Sequence, residues 1–183
     1  CPAAKLARSD NGPNYKLKSV DKYKRDSWSQ IGSWNASYKH GNIRGESIPT
    51  RASYGNNNWV YNAPRDIQGR KKEWHWRTRD PAGFDLNRIP LFMDMMWRGG
   101  GPMRSRMSPP RYNGEWSGYG EEMKHFAMDR HNGGIQGVFF DHSVQHVPIK
   151  KLWKLHWHRN WAKDYGGWKP AWPSWMAGYA EHQ

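Results

Sequence analysis

Ile135-Gln136-Gly137-Val138-Phe139-Phe140-Asp141-His142-Ser143-Val144-Gln145-His146-Val147-Pro148 carries the clearest signal of fold in this chain. Two runs rich in β-branched and aromatic residues, 135–140 and 143–148, flank the polar pair Asp141-His142. That pattern predicts two short strands joined as a hairpin. The next residues, 149–163, read as a helix. Pro148 suits its entry, where a missing N–H is harmless. Trp153, Trp157 and Trp161 recur every four positions and would share one face. Upstream, 121–131 reads as a second helix. Glu121 and Glu122 complement its N-terminal dipole, Met123, Phe126, Ala127 and Arg130 follow helical spacing, and Asn132-Gly133-Gly134 ends it. Residues 120–165 are therefore expected to form a small α+β unit.

Outside that unit the periodicity fades. Residues 1–70 show no sustained period of 3.6 or 2 and read as an extended basic arm, with Trp28, Trp34 and Trp59 as scattered aromatic pins. Gly55-Asn56-Asn57-Asn58 reads as a turn before a short strand at Trp59-Val60-Tyr61. Residues 71–119 read as a Pro/Gly-rich linker carrying a basic–aromatic segment. Within it, Arg88 to Trp97 is expected as a short helix with Pro90 in its first turn, and Gly99-Gly100-Gly101-Pro102 as a bend. Residues 166–183 form a Trp/Pro-rich C-terminal strap. The fold class expected is mostly irregular and extended, with a small α+β C-terminal part.

Composition points the same way. The chain has 13 Trp but only 6 Leu, and Leu, Ile, Val and Phe together supply 23 of 183 residues. That lies below the ~20 % level under which a charged chain is expected to order against partners more than around its own core. The isolated chain is accordingly expected to be largely unfolded, above all over residues 1–70. The net charge is +13, and residues 1–79 hold 16 Lys/Arg against 6 Asp/Glu. A basic chain of this kind favours an anionic partner: nucleic acid, acidic protein or anionic lipid.

A single cysteine, Cys1, excludes an internal disulfide. The absence of an initiator Met at Cys1 is read as processing of a mitochondrial presequence, processing of a lipoprotein signal, or the start of the ordered part. No apolar run reaches the ~18 residues of a membrane span.

Four constellations bear on function. Arg70-Lys71-Lys72-Glu73-Trp74-His75-Trp76-Arg77-Thr78-Arg79 sets cations around two indoles. Cations neutralise phosphates and rings stack on exposed bases. Arg70, Lys71, Lys72, Trp74, Trp76, Arg77 and Arg79 are therefore candidate RNA contacts, beside the equally open reading of an edge strand with its rings buried. Lys16, Lys18, Lys22, Lys24 and Arg25 add an electrostatic footprint, and Arg104 and Arg106 a second basic loop. Trp153, Trp157, Trp161, Trp168, Trp172 and Trp175 form a C-terminal cluster, either a protein-docking patch or a local core. His142, His146, His156 and His158 lack the converging ligand spacing of a zinc site. No nucleophile elbow or phosphate loop is present, and Asp80, Asp85 and Asp94 have no evident base partner. Neither an enzyme nor a cofactor is expected.

This whole-chain character, basic, rich in Trp, Pro and Gly and poor in aliphatics, resembles the supernumerary subunits of large mitochondrial assemblies. The resemblance implies a non-catalytic structural subunit in the matrix or on the matrix face of the inner membrane. The foremost expectation is a mitochondrial ribosomal protein touching ribosomal RNA and neighbouring proteins. The alternative is a peripheral accessory subunit of a respiratory complex or ATP synthase, where cardiolipin contact becomes possible.

Overall fold

The computed structural model describes residues 34–39, 47–77, 83–115, 120–165 and 168–181, the first segment and residues 47–52 as backbone. Two strands, β1 (Trp34–Lys39) and β2 (Ser47–Ala52), pair antiparallel, with Trp34 opposite Ala52. Five more form a small mixed sheet: β3 (Tyr54–Asn57), β4 (Pro90–Asp94), β5 (Gly99–Gly100), β6 (Gly134–Phe139) and β7 (Val144–Pro148). Their order is β5-β3-β4-β6-β7, and only the β3–β5 contact is parallel. Among the described residues, helical structure is limited to short 3-10 turns and one α-helix, α1 (Trp161–Tyr165).

The β6–β7 hairpin forms where the alternation predicts it. Ile135 faces Val147 and Val138 faces Val144 across the ladder. The turn is closed by the Asp141 carboxylate, which accepts the Ser143 N–H at 2.9 Å, and by His142 at φ 67°. An Asx-type turn of this kind tolerates the left-handed backbone at its tip.

The helical expectations are corrected. The 121–131 segment makes a single 3-10 turn, Glu122–His125. Residues 149–163 give a 3-10 turn at Ile149–Lys154, an extended stretch, and then α1. Arg88 to Trp97 is the strand β4 after a 3-10 turn at Leu86–Arg88, not a helix. Pairing to both β3 and β6 satisfies the β4 backbone and overrides a weak local preference. The Gly55–Asn58 segment is a turn only at its end: Gly55 to Asn57 lie in β3, and the turn begins at Asn58. A Cβ on Gly55 would meet the Met95 sulfur at 2.2 Å and the Trp97 carbonyl oxygen at 2.4 Å, so only glycine lets β3 approach the 95–98 chain. Gly99 and Gly100, expected as a bend, form the strand β5. A Cβ on Gly100 would fall 2.8 Å from Phe126.

The expectation of a mostly extended chain is corrected too. A contiguous core contains Trp59, Trp76, Trp153, Trp157 and Trp161 with Phe126, Phe139, Ile89, Ile135 and Ile149. All eight methionines of the chain are in it. Flat indoles leave irregular gaps, and the unbranched, polarizable Met side chain fills them. Trp59, assigned from sequence to the basic arm, has no exposed surface.

Buried polar groups fix this core from inside. The Asn57 amide donates to the carbonyls of Pro90 and Trp157, each at 3.0 Å, and its oxygen accepts the Trp59 N–H. Asp94, fully buried, accepts from Arg130 Nη1 at 3.0 Å, His131 Nε2 at 2.8 Å and the Gln136 N–H at 2.9 Å. Arg130 Nη1 also donates to the Ser53 carbonyl at 2.7 Å. That cluster ties β4, β6 and the bend at Ser53 before β3 to the loop before the hairpin.

Candidate functional site

One face of the molecule carries a polar cleft. It lies where β3 and β5 meet the Glu122–His125 turn and the 67–70 loop. The cleft measures about 320 Å³ and is lined by Asn56, Asn58, Gln68, Arg70, Trp97, Arg98, Gly99, Glu122 and His125. A neighbouring hollow of about 370 Å³ shares Asn56, Asn58, Gln68, Arg70 and Arg98 and adds Tyr61 and His75.

The β-strand period builds it. Asn56 in β3 and Asn58, just past its end, present their side chains on one side, whereas Asn57 points into the core. Asn56 Nδ2 donates to Asn58 Oδ1 at 2.9 Å. Their backbones are fixed by bonds to the carbonyls of Arg98 and Gly100 at 3.0 and 2.8 Å. Arg70 is buried and forms an ion pair with Glu122, while its Nη1 donates to Gln68 Oε1 at 3.1 Å. Glu122 also accepts the Gly101 N–H. The Arg98 guanidinium lies 5.2 Å above the Trp97 ring.

His75 is 2 % exposed, and neither of its ring nitrogens has a hydrogen-bond partner among the described residues. It packs at 5.0 Å from the Trp59 ring and 5.9 Å from Tyr61. Burial, and then the charge of Arg70, hold its pKa below the ordinary histidine value, while Asp66 opposes them weakly. Burial and Arg88 lower His156 likewise. The unfolded chain therefore binds protons that these folded rings refuse. Stability is complete above the unfolded histidine pKa and falls as the pH drops through it towards the lower folded values. The melting temperature should decrease between pH 8 and pH 5, with a smaller decrease in His75→Gln. Identical pH slopes for the two proteins would contradict this origin.

The basic–aromatic segment divides sharply. Trp76 is buried, and its indole N–H donates to the Trp157 carbonyl at 3.0 Å. Trp74 is half-buried and stacks on His158 at 5.0 Å with an 11° interplanar angle. Arg70 is committed to Glu122. The expected stacking role of the two indoles and a phosphate role for Arg70 therefore meet rings and a cation already engaged inside the fold. Lys71, Lys72, Arg77 and Arg104 are exposed. Lys16, Lys18, Lys22, Lys24, Arg25, Arg79 and the Arg106 side chain lie outside the described residues.

The C-terminal tryptophans divide as well. Trp153, Trp157 and Trp161 are buried, and their indoles donate to the carbonyls of Met107, Leu152 and Trp153. They lie in the core, and because α1 begins only at Trp161 no helix presents them on one face. Trp168, Trp172 and Trp175 are half-buried. Trp172 packs edge-on against Trp153 at 5.0 Å, and the Trp175 indole donates to the Pro110 carbonyl at 2.7 Å. The strap thus closes one side of the core.

The face of the sheet that carries Asn56 continues into an exposed apolar row, since Asn56 and Phe92 are partners in register. Phe92 is 55 % and Val144 72 % exposed, with Val138 between them in register. Among the described residues, no group of three or more His, Cys, Asp or Glu is placed to hold a metal ion, and no helix is long and apolar enough to cross a membrane.

Asn56, Asn58, Gln68, Arg98 and His125 were not singled out from the sequence. The one available signal was asparagine at alternating positions next to a glycine, which local reading takes for a turn. No family model, curated protein or solved structure matches the chain.

Proposed function

We propose that this chain is a non-catalytic structural subunit of a larger assembly. The observation that carries the reading is how its buried ionisable groups are used. Asp94 holds Arg130 and His131, Glu122 holds Arg70, and Glu115 holds Arg111 and Lys124. Each pair joins distant segments or closes a loop. General acid–base chemistry needs a group whose proton can move at a reacting atom. These carboxylates are instead saturated by cations and backbone N–H groups, an arrangement suited to a rigid building block.

The ribonucleoprotein form of this reading is a mitochondrial ribosomal protein contacting ribosomal RNA and its protein neighbours. It is supported by the net charge of +13 and by the exposed Lys71, Lys72, Arg77 and Arg104. Such cations bind phosphates without reading sequence. The second form is a peripheral accessory subunit of a respiratory complex or ATP synthase. The internal use of Arg70, Trp74 and Trp76 favours it, since those side chains no longer offer bases a stacking platform.

Sedimentation of the tagged full chain from cell extract tests the proposal. Migration in a high-mass fraction is expected. A shift to low mass on nuclease treatment selects the ribonucleoprotein form, and migration unchanged by nuclease selects the protein form. Sedimentation as a free 21.5 kDa chain in untreated extract would remove both.

A further inference from the structure

We propose that the outer edge of β7 is a docking site for an extended acidic segment of a partner protein, which joins the five-stranded sheet as a further strand. The inference rests on the assembly reading and names where one protein neighbour docks.

The backbone fixes which groups face outward. Along an antiparallel strand, successive residues direct their N–H and C=O groups alternately toward and away from the neighbouring strand. The hairpin sets Ile135 against Val147 and Gly137 against Gln145. In the same register the Phe139 N–H donates to the Ser143 carbonyl at 3.0 Å and the Ile149 N–H to the Gly133 carbonyl at 2.9 Å. Residues 143, 145, 147 and 149 therefore turn toward β6. On the far side of β6, the Gln136 N–H goes to Asp94 and the Phe140 N–H to the Ile89 carbonyl, in the same phase. Val144 and His146 are left with their N–H and C=O groups directed away from the sheet. Among the described residues none of these groups has a hydrogen-bond partner.

The edge is also open. Val144 and His146 are exposed. The other edge of the sheet, β5, is two buried glycines packed beneath the Glu122–His125 turn. Unpaired edge groups of this kind are a template for strand addition. Pro148 has no N–H to offer and leads into the next 3-10 turn, so the pairing is confined to Val144 and His146. An antiparallel newcomer uses both, each residue exchanging an N–H and a carbonyl with the one opposite.

Side chains and charge select the occupant. Val144 ends the row Phe92–Val138–Val144, and a β-branched residue opposite it lengthens that row. His146 Nε2 donates to the His131 carbonyl at 2.8 Å, which leaves Nδ1 as an acceptor for a hydroxyl such as that of threonine. In antiparallel pairing the residue opposite His146 precedes the one opposite Val144 by two positions, so the matching pattern is Thr-x-Val. Residues 141–154 hold three Lys and two His against one acid, Asp141, whose carboxylate already accepts the Ser143 N–H. With a net charge of +13 over the chain, acidic flanks on the incoming strand are favoured. A second copy fits worse. Two-fold pairing about Gln145 would end each apolar row on the imidazole of His146 and bring two strongly cationic chains together.

Fluorescence anisotropy at physiological salt, with the full chain and the labelled peptide Glu-Glu-Thr-Glu-Val-Glu-Glu, tests the edge. Saturable binding below millimolar concentration is expected. N-methylation of the peptide's Thr and Val amides removes the two donors that face β7 and should weaken binding ten-fold or more. N-methylation of the central Glu, whose N–H faces away, should weaken it far less. Val144→Pro deletes an N–H that the fold itself does not use, and should weaken binding ten-fold or more with little change in melting temperature. If that variant does not fold, the N-methylated peptides decide alone. Absence of saturation at millimolar peptide overturns the proposal, as does equal affinity for the peptide methylated at Thr and Val, since charge alone would then explain binding. A folded Val144→Pro with undiminished affinity overturns it too. So does a dimer of the isolated chain that Val144→Pro abolishes, which would give the edge to a second copy. The two readings fail separately: a chain that migrates at high mass in extract but ignores the peptide keeps the assembly and loses this edge, and a chain that binds the peptide but sediments alone does the reverse.

Discussion

Asp94→Ala should lower the unfolding free energy by about 3–5 kcal/mol, the loss typical when one partner of a buried ion pair is removed. The side chains of Asp94 and Arg130 are both fully buried. Alanine would strand the Arg130 charge and would also orphan the Gln136 N–H and the His131 ring. For a chain of this length, roughly 2–4 °C per kcal/mol converts the loss into a melting-temperature fall of about 10 °C. The double variant Asp94→Leu/Arg130→Met should be less destabilised than Asp94→Ala alone, because no uncompensated charge remains. Denaturant unfolding of the two proteins checks both statements. A single-variant loss under about 1 kcal/mol would mean that water reaches the site and the pair is not structural.

Trp157→Ala should cost about 3–5 kcal/mol, the range for truncating a large buried aromatic. The Trp157 ring is fully buried, lies 4.5 Å from Phe126 and donates to the Leu152 carbonyl at 2.8 Å. Its own carbonyl accepts from both Asn57 and Trp76, so a collapse here would disturb β3 and the basic–aromatic segment together. Trp157→Phe should lose less, since it keeps most of the ring and forfeits chiefly the indole hydrogen bond. Lys169→Ala, in the exposed part of the strap, should be nearly silent. Thermal melts of the three variants decide between a core and a docking role. If Trp157→Ala melted like the wild type, the indole would be serving an external partner.

Much of the C-terminal fold was legible in the residues. The hairpin was readable because Ile135, Val138, Phe139, Val144 and Val147 carry a strand signal and Asp141-His142-Ser143 a turn signal within fourteen residues. The helices were not. The i, i+4 spacing of Trp153, Trp157 and Trp161 is real, but each indole hydrogen bonds to a different carbonyl, and those partners pull the backbone out of helical geometry. A periodicity argument records only that three large residues are buried. It does not record that their polar atoms need separate acceptors.

The cleft was hidden for a related reason. Asn56 looks like a turn residue until Met95 and the 97–98 backbone are seen packed against Gly55, which holds Tyr54–Asn57 as a strand and leaves the turn to Asn58. Arg70 and Glu122 are 52 positions apart, and nothing local announces that they pair.

The sequence by itself determined the composition of the core, the hairpin and the excess of positive charge. Counting Leu, Ile, Val and Phe alone understated that core, because ten of the described Trp and eight Met pack in it or against it and fit one another as a large flat shape fits a flexible one. Only the tertiary structure decided which tryptophans are interior, which cations are paired and which stay exposed. Those outcomes follow from contacts across 30 to 100 residues, such as Asn57 with Pro90 and with the Trp157 carbonyl. Long-range hydrogen bonds and close packing set the conformation of segments whose own propensities are weak.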